Sequence, residues 1–202
     1  DVMRRARGSA EISCVTCGEG CAVSRVGLRP IPVPSGVEVK IEGKDVTVSG
    51  QRGTLNLTIH RDMLISQEDR VLTVARPSDE RQHRALHGLT RSLVANMVTG
   101  VVEGYSKTMD LVGVGYRVQQ SGESITLSVM LSHSVEIKPP SGVTLEVEGN
   151  NRIHVRGIDK QAVGQLAAQI RKVRPANVYT GKGIRYAGEV VRLKPGKSAR
   201  RV

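Results

Sequence analysis

The sequence predicts an α+β protein made of two tandem repeats, each a small, mainly antiparallel sheet packed with a helix, followed by a basic C-terminal extension. Short segments that alternate apolar and polar residues indicate half-buried strands. Two longer segments place apolar residues three and four positions apart, as amphipathic helices do. Apolar residues make up 39% of the 202-residue chain, which contains no Trp or Phe. The core must therefore consist mainly of Val, Leu, Ile, Met and Ala.

An internal duplication indicates the two repeats. Residues 34–43 match residues 140–149, and residues 46–50 match residues 153–157 after one inserted residue. A helical pattern follows each copy, so the repeating unit is a sheet plus a helix. We therefore predict three parts after residue 22: an N-terminal repeat over residues 23–105, a C-terminal repeat over residues 106–178 and the basic extension over residues 179–202.

The strands of the N-terminal repeat follow an extended, proline-rich segment at residues 30–34. The turn Gly43-Lys44-Asp45 separates the first two strands, because Gly and Asp favour tight turns. Period-two alternation places the strands of this repeat at residues 37–42, 46–48, 55–59 and 71–74.

The helix of the N-terminal repeat is predicted to follow Pro77, with Ser78 as its N-cap and two acidic residues in its first turn, Asp79 and Glu80. Its apolar stripe consists of Leu86, Leu89, Leu93, Met97 and Val101. His83 and His87 lie four residues apart, as in the zinc-protease motif, but Arg84 stands between them and the motif's Glu is missing. We therefore expect both histidines to be exposed helix residues.

The C-terminal repeat begins with two predicted strands, residues 108–118 and 125–131, joined by a hairpin at residues 121–123. A further strand covers residues 135–138, before the duplicated segment. The second helix is expected to begin at Asp159, its N-cap, and to end before Pro175. Its buried face consists of Val163, Leu166, Ile170 and Val173.

Positive charge is concentrated in residues 171–202, which hold ten Lys or Arg and one acid, Glu189; residues 1–170 hold 20 basic and 18 acidic residues. In Gly181-Lys182-Gly183 a cation stands between two residues without a Cβ. Such a loop can turn tightly and bring its N–H groups to phosphate oxygens. Tyr179 and Tyr186 flank it. The pattern favours a polyanionic partner; the alternative is a solvated basic tail with an ordinary glycine turn.

The four Tyr residues are the only aromatic residues of the chain, so it lacks a rich set of platforms for stacking bases. This argues against an RNA-recognition-motif sheet and against a single-strand-binding barrel. The expected contacts with RNA are therefore with phosphates and with the shape of the folded molecule.

All three cysteines lie in eight positions near the N-terminus, at Cys14, Cys17 and Cys21. A C-x-x-C pair with a third thiolate can be half of a zinc or iron–sulfur site. The sequence has no second pair, and its nearest histidine is His60. A metal-binding protein that uses these cysteines stays open as an alternative, but we expect no metal and no cofactor.

No enzyme motif is complete. Residues 196–198 end like a P-loop, but the earlier glycine that a P-loop needs is Val191. Residues 113–115 begin like a dinucleotide fingerprint, but Val118 stands at the third glycine position. We therefore predict no catalytic site and no small-molecule substrate. The sequence also lacks a run of roughly 20 apolar residues, which predicts a cytoplasmic protein without a membrane partner.

Three motifs resemble the bacterial ribosomal protein L6 family of the large subunit. Residues 24–27 with residues 30–37 are similar to the start of that family, and Gly113-Val-Gly-Tyr116-Arg117 is similar to a motif in the middle of its members. Residues 181–189, Gly-Lys-Gly-Ile-Arg-Tyr-Ala-Gly-Glu, resemble its C-terminal signature almost residue for residue. Family members usually begin Met-Ser-Arg, and here Val23 precedes Ser24. We therefore expect residues 1–22 to be a disordered or mis-annotated leader.

The resemblance implies two tandem α/β domains and a structural role in the large subunit, near the stalk base and the translation-factor site. It implies large-subunit ribosomal RNA and neighbouring large-subunit proteins as partners, with translational GTPases as possible partners by proximity. Carried over to this sequence, the rRNA-binding residues are Lys172, Arg174, Tyr179, Gly181, Lys182, Gly183, Arg185 and Tyr186, and in the tail Arg192, Lys194, Lys197, Arg200 and Arg201. The alternative is a free-standing RNA chaperone or translational regulator that uses the same basic end.

Overall fold

The computed structural model describes residues 26–68 and 70–197. The cysteines, Arg200 and Arg201 lie outside these residues, and so do the expectations about the leader. The first unit contains six strands and a helix: β1 Ile31–Pro32, β2 Glu38–Glu42, β3 Asp45–Gly50, β4 Gly53–Thr58, β5 Leu64–Glu68, β6 Val71–Ala75 and α1 Arg81–Val102. The second contains β7 Tyr105–Val112, β8 Arg117–Ser121, β9 Ser124–Ser128, β10 Val135–Ile137, β11 Val143–Glu148, β12 Arg152–Gly157, α2 Lys160–Val173 and β13 Gly183–Tyr186.

Every named strand pair is antiparallel. The first unit has two three-stranded sheets, with strand orders β2-β3-β4 and β1-β6-β5. The second has a four-stranded sheet, β11-β12-β7-β13, and a three-stranded sheet, β10-β9-β8. The hairpin β2–β3 and the hairpin β11–β12 occupy the duplicated segments. The predicted α+β class with two repeats is therefore confirmed.

Each unit has its own apolar core. In the first, α1 packs on the sheets through Val94 and Val101, against Val46, Val48 and Leu72, and all five are fully buried. In the second, the cluster combines both sheets with α2: Met109, Ile125, Leu127, Ile153, Val155, Leu166, Ile170 and Ile184. The cores consist of aliphatic and Met side chains with one buried Tyr, as the composition requires. Each helix thus holds the sheets of its own unit together.

The predicted start of the first helix is wrong. Glu80, with φ −60° and ψ 150°, is the last residue before the helix and makes no side-chain capping bond. Ser78 lies two residues before the cap position, and its hydroxyl is hydrogen-bonded to His83 Nδ1 at 2.7 Å and accepts from the Glu80 N–H at 3.4 Å. Asp79 and Glu80 therefore precede the first turn instead of lying in it.

The buried face of α1 also differs from the predicted stripe. Leu89 is 54% exposed, whereas the buried residues of the helix are His87, Thr90, Val94, Met97, Val98, Gly100 and Val101. The expectation that both histidines are exposed is wrong, since His87 is only 2% exposed. Its Nε2–H donates to the Val74 carbonyl at 2.9 Å, and its Nδ1 accepts from Arg76 at 3.3 Å. Two hydrogen bonds satisfy the ring, so it can occupy a core position.

The second helix agrees with its prediction. Asp159 is the N-cap, and its carboxylate accepts from the Gln161 N–H at 2.8 Å. The buried residues are Val163, Leu166, Ala167 and Ile170, with Val173 partly buried against the same core. The hairpin turn at Gly122, with φ +63°, is likewise where the sequence places it.

Two predicted boundaries change. The strand expected over residues 108–118 is two strands, β7 and β8, because a turn at residues 113–116 interrupts it. Gly113 and Gly115 adopt φ +146° and +84° in this turn, which β-strand geometry excludes. The residues expected to form a basic extension contain β13, which pairs with β7 and buries Ile184 completely. Residues 183–186 are therefore part of the second sheet.

The two units meet where α1 ends and α2 begins. Ile158 packs against the core of the first unit, and its carbonyl lies so close to Gly100 that a Cβ there would overlap it. Lys160 Nζ donates to Asn96 Oδ1 at 3.0 Å and lies 5.5 Å from the centre of the Tyr105 ring. The units are therefore joined by packing and polar contacts as well as by the chain. None of the helices in the described residues has the length and apolar character needed to cross a membrane.

Candidate nucleic-acid interface

The last turn of α2 carries Arg171 and the candidate residue Lys172, and the candidate residue Arg174 is its C-cap. Cations are favoured here, because the free carbonyl groups at a helix C-terminus carry partial negative charge. Pro175 follows and forms a bridge with Ile184 of β13. The helix end and the edge of the second sheet therefore lie side by side, which brings residues 171–174 next to residues 183–186.

Residues 177–182 form a loop that is closed by three internal hydrogen bonds; we call it the 177–182 loop. Asn177 N–H donates to the Lys182 carbonyl at 2.9 Å, and Gly181 N–H donates to the Asn177 carbonyl at 2.8 Å. The Asn177 side chain accepts from the Tyr179 N–H at 2.8 Å. These bonds hold the loop in one conformation, with Tyr179 and Lys182 exposed. The Gly181 N–H is consequently occupied and does not offer a free donor for phosphate.

The two glycines of the motif are required by the fold of the loop. Gly181 has φ +70° and Gly183 has φ +139°, conformations that residues with a Cβ rarely adopt. A Cβ on Gly183 would lie 2.7 Å from the Pro175 carbonyl oxygen and 2.7 Å from the Ala176 Cα. Gly183 is buried. Its missing side chain therefore lets the chain pass close to residues 175–176, inside the protein.

Glu189, the one acid after residue 170, is used within the site. Its Oε1 lies 2.5 Å from Arg171 Nη2, and its Oε2 accepts from the Tyr186 N–H at 3.1 Å. The Arg171 guanidinium also lies 5.0 Å from the centre of the Tyr186 ring. Arg171 is therefore neutralised by Glu189, and the Tyr186 ring lies against a guanidinium. The pair fixes the end of β13 against α2.

The remaining cations of this region are available to a partner. Within residues 26–68 and 70–197, none of the following has an ion-pair partner, and all are exposed: Lys172, Arg174, Lys182, Arg192, Lys194 and Lys197. The tail is tied to the 177–182 loop, because Lys194 N–H donates to the Val178 carbonyl at 2.9 Å. Arg185 is half-buried and lines a shallow groove with Asp110, Glu148 and Arg152. The exposed cations thus share one end of the second unit.

A cleft of about 620 Å³ opens beside the 177–182 loop. One wall consists of residues 174–180 and 182, and the other contains Val114, Tyr116 and Met130. Val114 is 84% exposed and Met130 67% exposed. We call this space the loop cleft. Val114 and Met130 are functional candidates that the sequence analysis missed; their only signal was the glycine pair at Gly113 and Gly115.

A second polar cluster lies at the β12 edge of the shallow groove. His154 and Arg152 both contact the Glu148 carboxylate, at 3.0 and 3.5 Å, and hold the pKa of Glu148 below its ordinary value. The hydrogen bond from Arg152 to Asp110, at 3.1 Å, raises the pKa of Arg152. Glu148 is therefore ionised at neutral pH and, with Asp110, keeps Arg152 engaged. The described residues contain no group of three or more His, Cys, Asp or Glu placed to hold a metal ion.

Comparison with known proteins identifies the family. The family model for ribosomal protein L6 matches residues 33–104 and 112–187. Relatives from several organisms carry the name large ribosomal subunit protein uL6. That of Caldicellulosiruptor saccharolyticus is 56% identical over 178 residues, which are 88% of this chain and 98% of the relative. That of Carboxydothermus hydrogenoformans is 53% identical over 176 residues, 87% and 97%. That of Halalkalibacterium halodurans is 51% identical over 178 residues, 88% and 100%. Both repeats are matched by the family model and the relatives are covered almost completely, so the chain belongs to the ribosomal protein L6 family.

Proposed function

We propose that the protein is a structural constituent of the large ribosomal subunit that binds large-subunit rRNA through the end of its second unit. The binding surface consists of the exposed cations around the 177–182 loop, together with the Tyr179 side chain. The first unit serves as a spacer that is packed on the second. Membership in the family supports the ribosomal role, since the relatives are named as proteins of the large ribosomal subunit. The protein is located in the large subunit of cytoplasmic ribosomes.

The observation that carries the RNA-binding part is the contrast between Arg171 and the other cations. Arg171 is paired with Glu189, whereas no counter-charge among the described residues is paired with Lys172, Arg174, Lys182, Arg192, Lys194 or Lys197. Several unpaired cations held close together repel one another, so a fold keeps them there at a cost. A polyanion removes that repulsion and releases counterions, which favours binding. A folded RNA supplies phosphates at the required density.

We infer that this surface acts without making or breaking covalent bonds. The Gly181 N–H is used within the loop, and the surface offers lysine, arginine and tyrosine side chains. These groups neutralise and position phosphates without altering them. We therefore propose that the protein acts by fixing the fold of rRNA near the stalk base, with neighbouring large-subunit proteins as further partners. Contact with translational GTPases follows only from proximity to that site.

The test compares two double variants with the same change in charge. Lys182→Ala with Lys194→Ala removes two exposed cations from the proposed surface, and Lys40→Ala with Lys44→Ala removes two from the first unit. Each lost phosphate contact lowers the slope of log affinity against log salt by roughly 0.7–0.9, so the first variant should lose roughly 1.4–1.8. Filter binding of the full chain to protein-free large-subunit rRNA measures the slope.

The control variant should keep the wild-type slope, because Lys40 and Lys44 lie on the β2–β3 hairpin of the other unit. Equal slopes for both variants would contradict the proposed surface. Sedimentation of the protein with large subunits at high salt separates a constituent from a free-standing RNA chaperone or regulator. A constituent stays with the subunit, whereas a chaperone that binds only through charge is washed away.

A further inference from the structure

We propose that the loop cleft holds one unpaired nucleotide of the RNA. The base would lie against Val114, Met130 and Tyr179, and its phosphates would lie beside Arg174 and Lys182. This inference rests on the proposed function, because it takes the partner to be RNA. It adds a kind of contact that the phosphate and shape recognition expected from the sequence does not include.

The apolar walls indicate a base. Val114 is 84%, Met130 67% and Tyr179 59% exposed, and all three line the cleft. Large apolar side chains gathered around one concave space mark a binding site. The phosphates and sugars of a duplex cannot cover such walls, whereas an unstacked base offers an apolar face to aromatic and aliphatic side chains. The volume of about 620 Å³ lies in the range of pockets for small ligands, roughly 300–1,000 Å³.

The charges of the same cleft indicate a nucleotide more than a side chain of a neighbouring protein. Its charged lining residues are Arg174 and Lys182, and no acidic side chain lines it among the described residues. An apolar protein side chain would cover Val114 and Met130 but would leave both cations without a counter-charge. A nucleotide supplies an apolar face and a phosphate on one group, and therefore matches both features.

The walls are held in place before a ligand arrives. Gly113, with φ +146°, passes so close to the Tyr116 ring that a Cβ would lie 2.6 Å from Cδ2. A Cβ on Gly115 would lie 3.1 Å from the Met130 sulfur. Met130 itself has φ +58°, a left-handed conformation that is rare for a side chain of this size. The turn is thus folded onto its neighbours, with Val114 left in solvent at its tip.

The first test changes the aromatic wall. Tyr179 is exposed, so Tyr179→Ala should fold normally but bind large-subunit rRNA about 5- to 150-fold more weakly, the range for loss of one base stack. Its salt slope should equal the wild-type slope, because no cation is lost. Tyr179→Phe should retain wild-type affinity, since stacking needs only the ring. Equal binding by Tyr179→Ala and wild type would overturn the inference.

The second test identifies the occupant. The full chain with p-benzoylphenylalanine at position 114 is incorporated into large subunits and irradiated, with the same group at Leu64 of the first unit as the control. A crosslink from position 114 to one unpaired nucleotide supports the inference. The same nucleotide should then become more reactive to chemical probes in subunits that carry Tyr179→Ala. A crosslink to a paired nucleotide, or to another protein, overturns it.

The two proposals fail in different ways. If Lys182→Ala with Lys194→Ala lowers the salt slope while Tyr179→Ala binds within twofold of wild type, rRNA binding stands and the nucleotide pocket is wrong. If neither variant alters binding, both are wrong.

Discussion

Replacing Gly183 with Ala should destabilise the packing of β13 against residues 175–176, which supports the 177–182 loop. A Cβ at this position would lie 2.7 Å from the Pro175 carbonyl oxygen and 2.8 Å from the Ala176 amide nitrogen. Both atoms belong to the backbone, so no side-chain rotation relieves the overlap. Residues 175–176 would have to move away from β13, and the pairing of Gly183 with Val112 would weaken.

The cost has two parts. A residue with a Cβ at φ +139° is strained by roughly 1–3 kcal/mol. Forcing a methyl group into a filled space costs typically about 1–3 kcal/mol more. The expected loss is about 2–6 kcal/mol, a large part of the 5–15 kcal/mol that is typical of a domain. The free energy of unfolding, measured with urea on the full chain, gives the loss directly.

Alanine substitutions at two other glycines distinguish the cost of backbone strain from the cost of steric overlap. Gly188 has φ +80° and no neighbour within 4 Å of its Cβ position, so Gly188→Ala should cost only about 1–2 kcal/mol. Gly164 lies inside α2 with open space around it and an ordinary helical conformation. Gly164→Ala should therefore stabilise the protein by about 0.5–1 kcal/mol. Equal losses for Gly183→Ala and Gly188→Ala would refute the packing argument.

Two further predictions concern the junction and the polar cluster. Ile158→Ala should lower the free energy of unfolding by about 1–2 kcal/mol, which is less than for a fully buried Ile because Ile158 is half-buried. Urea unfolding measures the loss. Val190→Ala is the control, and it should change the stability little because Val190 is exposed. The folded pKa of Glu148 is lowered from 4.5, so its stabilising effect is present above pH 4.5 and is lost as the pH falls through the lowered value. Glu148→Gln should therefore be less stable than wild type at pH 7 and equal to it at pH 2, by urea midpoints.

The regular elements were predictable where one local signal decides the structure. Residues 37–42 alternate strictly, and only one register buries the apolar set, so β2 and β3 follow from the pattern. Asp159 was recognisable as an N-cap because its short carboxylate precedes the apolar period of α2. The face of α1 was not predictable in this way. Leu89 fits the apolar spacing, but the buried line passes through His87 and Thr90, and the His87 ring finds its hydrogen-bond partners only in the folded structure.

β5 and the loop cleft were missed for different reasons. Residues 64–68 read Leu-Ile-Ser-Gln-Glu, two adjacent apolar residues followed by three polar ones, so the segment lacks the alternation that marks a strand. Leu64 is exposed in the structure. The loop cleft joins residues 174–182 to Val114 and Met130, which are more than 40 positions away in the sequence. That proximity depends on how β7 places the glycine turn beside β13, and no local pattern encodes it.

The structure also changes what the C-terminal glycines are for. From the sequence they are expected to let the backbone approach phosphates, but Gly183 is buried against residues 175–176 and the Gly181 N–H is bonded within the loop. Their role is therefore to make the loop tight, and a tight loop fixes where Lys182 and Tyr179 lie. This separates two classes of variants. Substitutions at Lys182 or Tyr179 should change RNA affinity without changing stability, whereas Gly183→Ala should change stability first and affinity as a consequence. If Gly183→Ala bound RNA more weakly but kept the wild-type stability, Gly183 would have to contact RNA directly, as the sequence suggested.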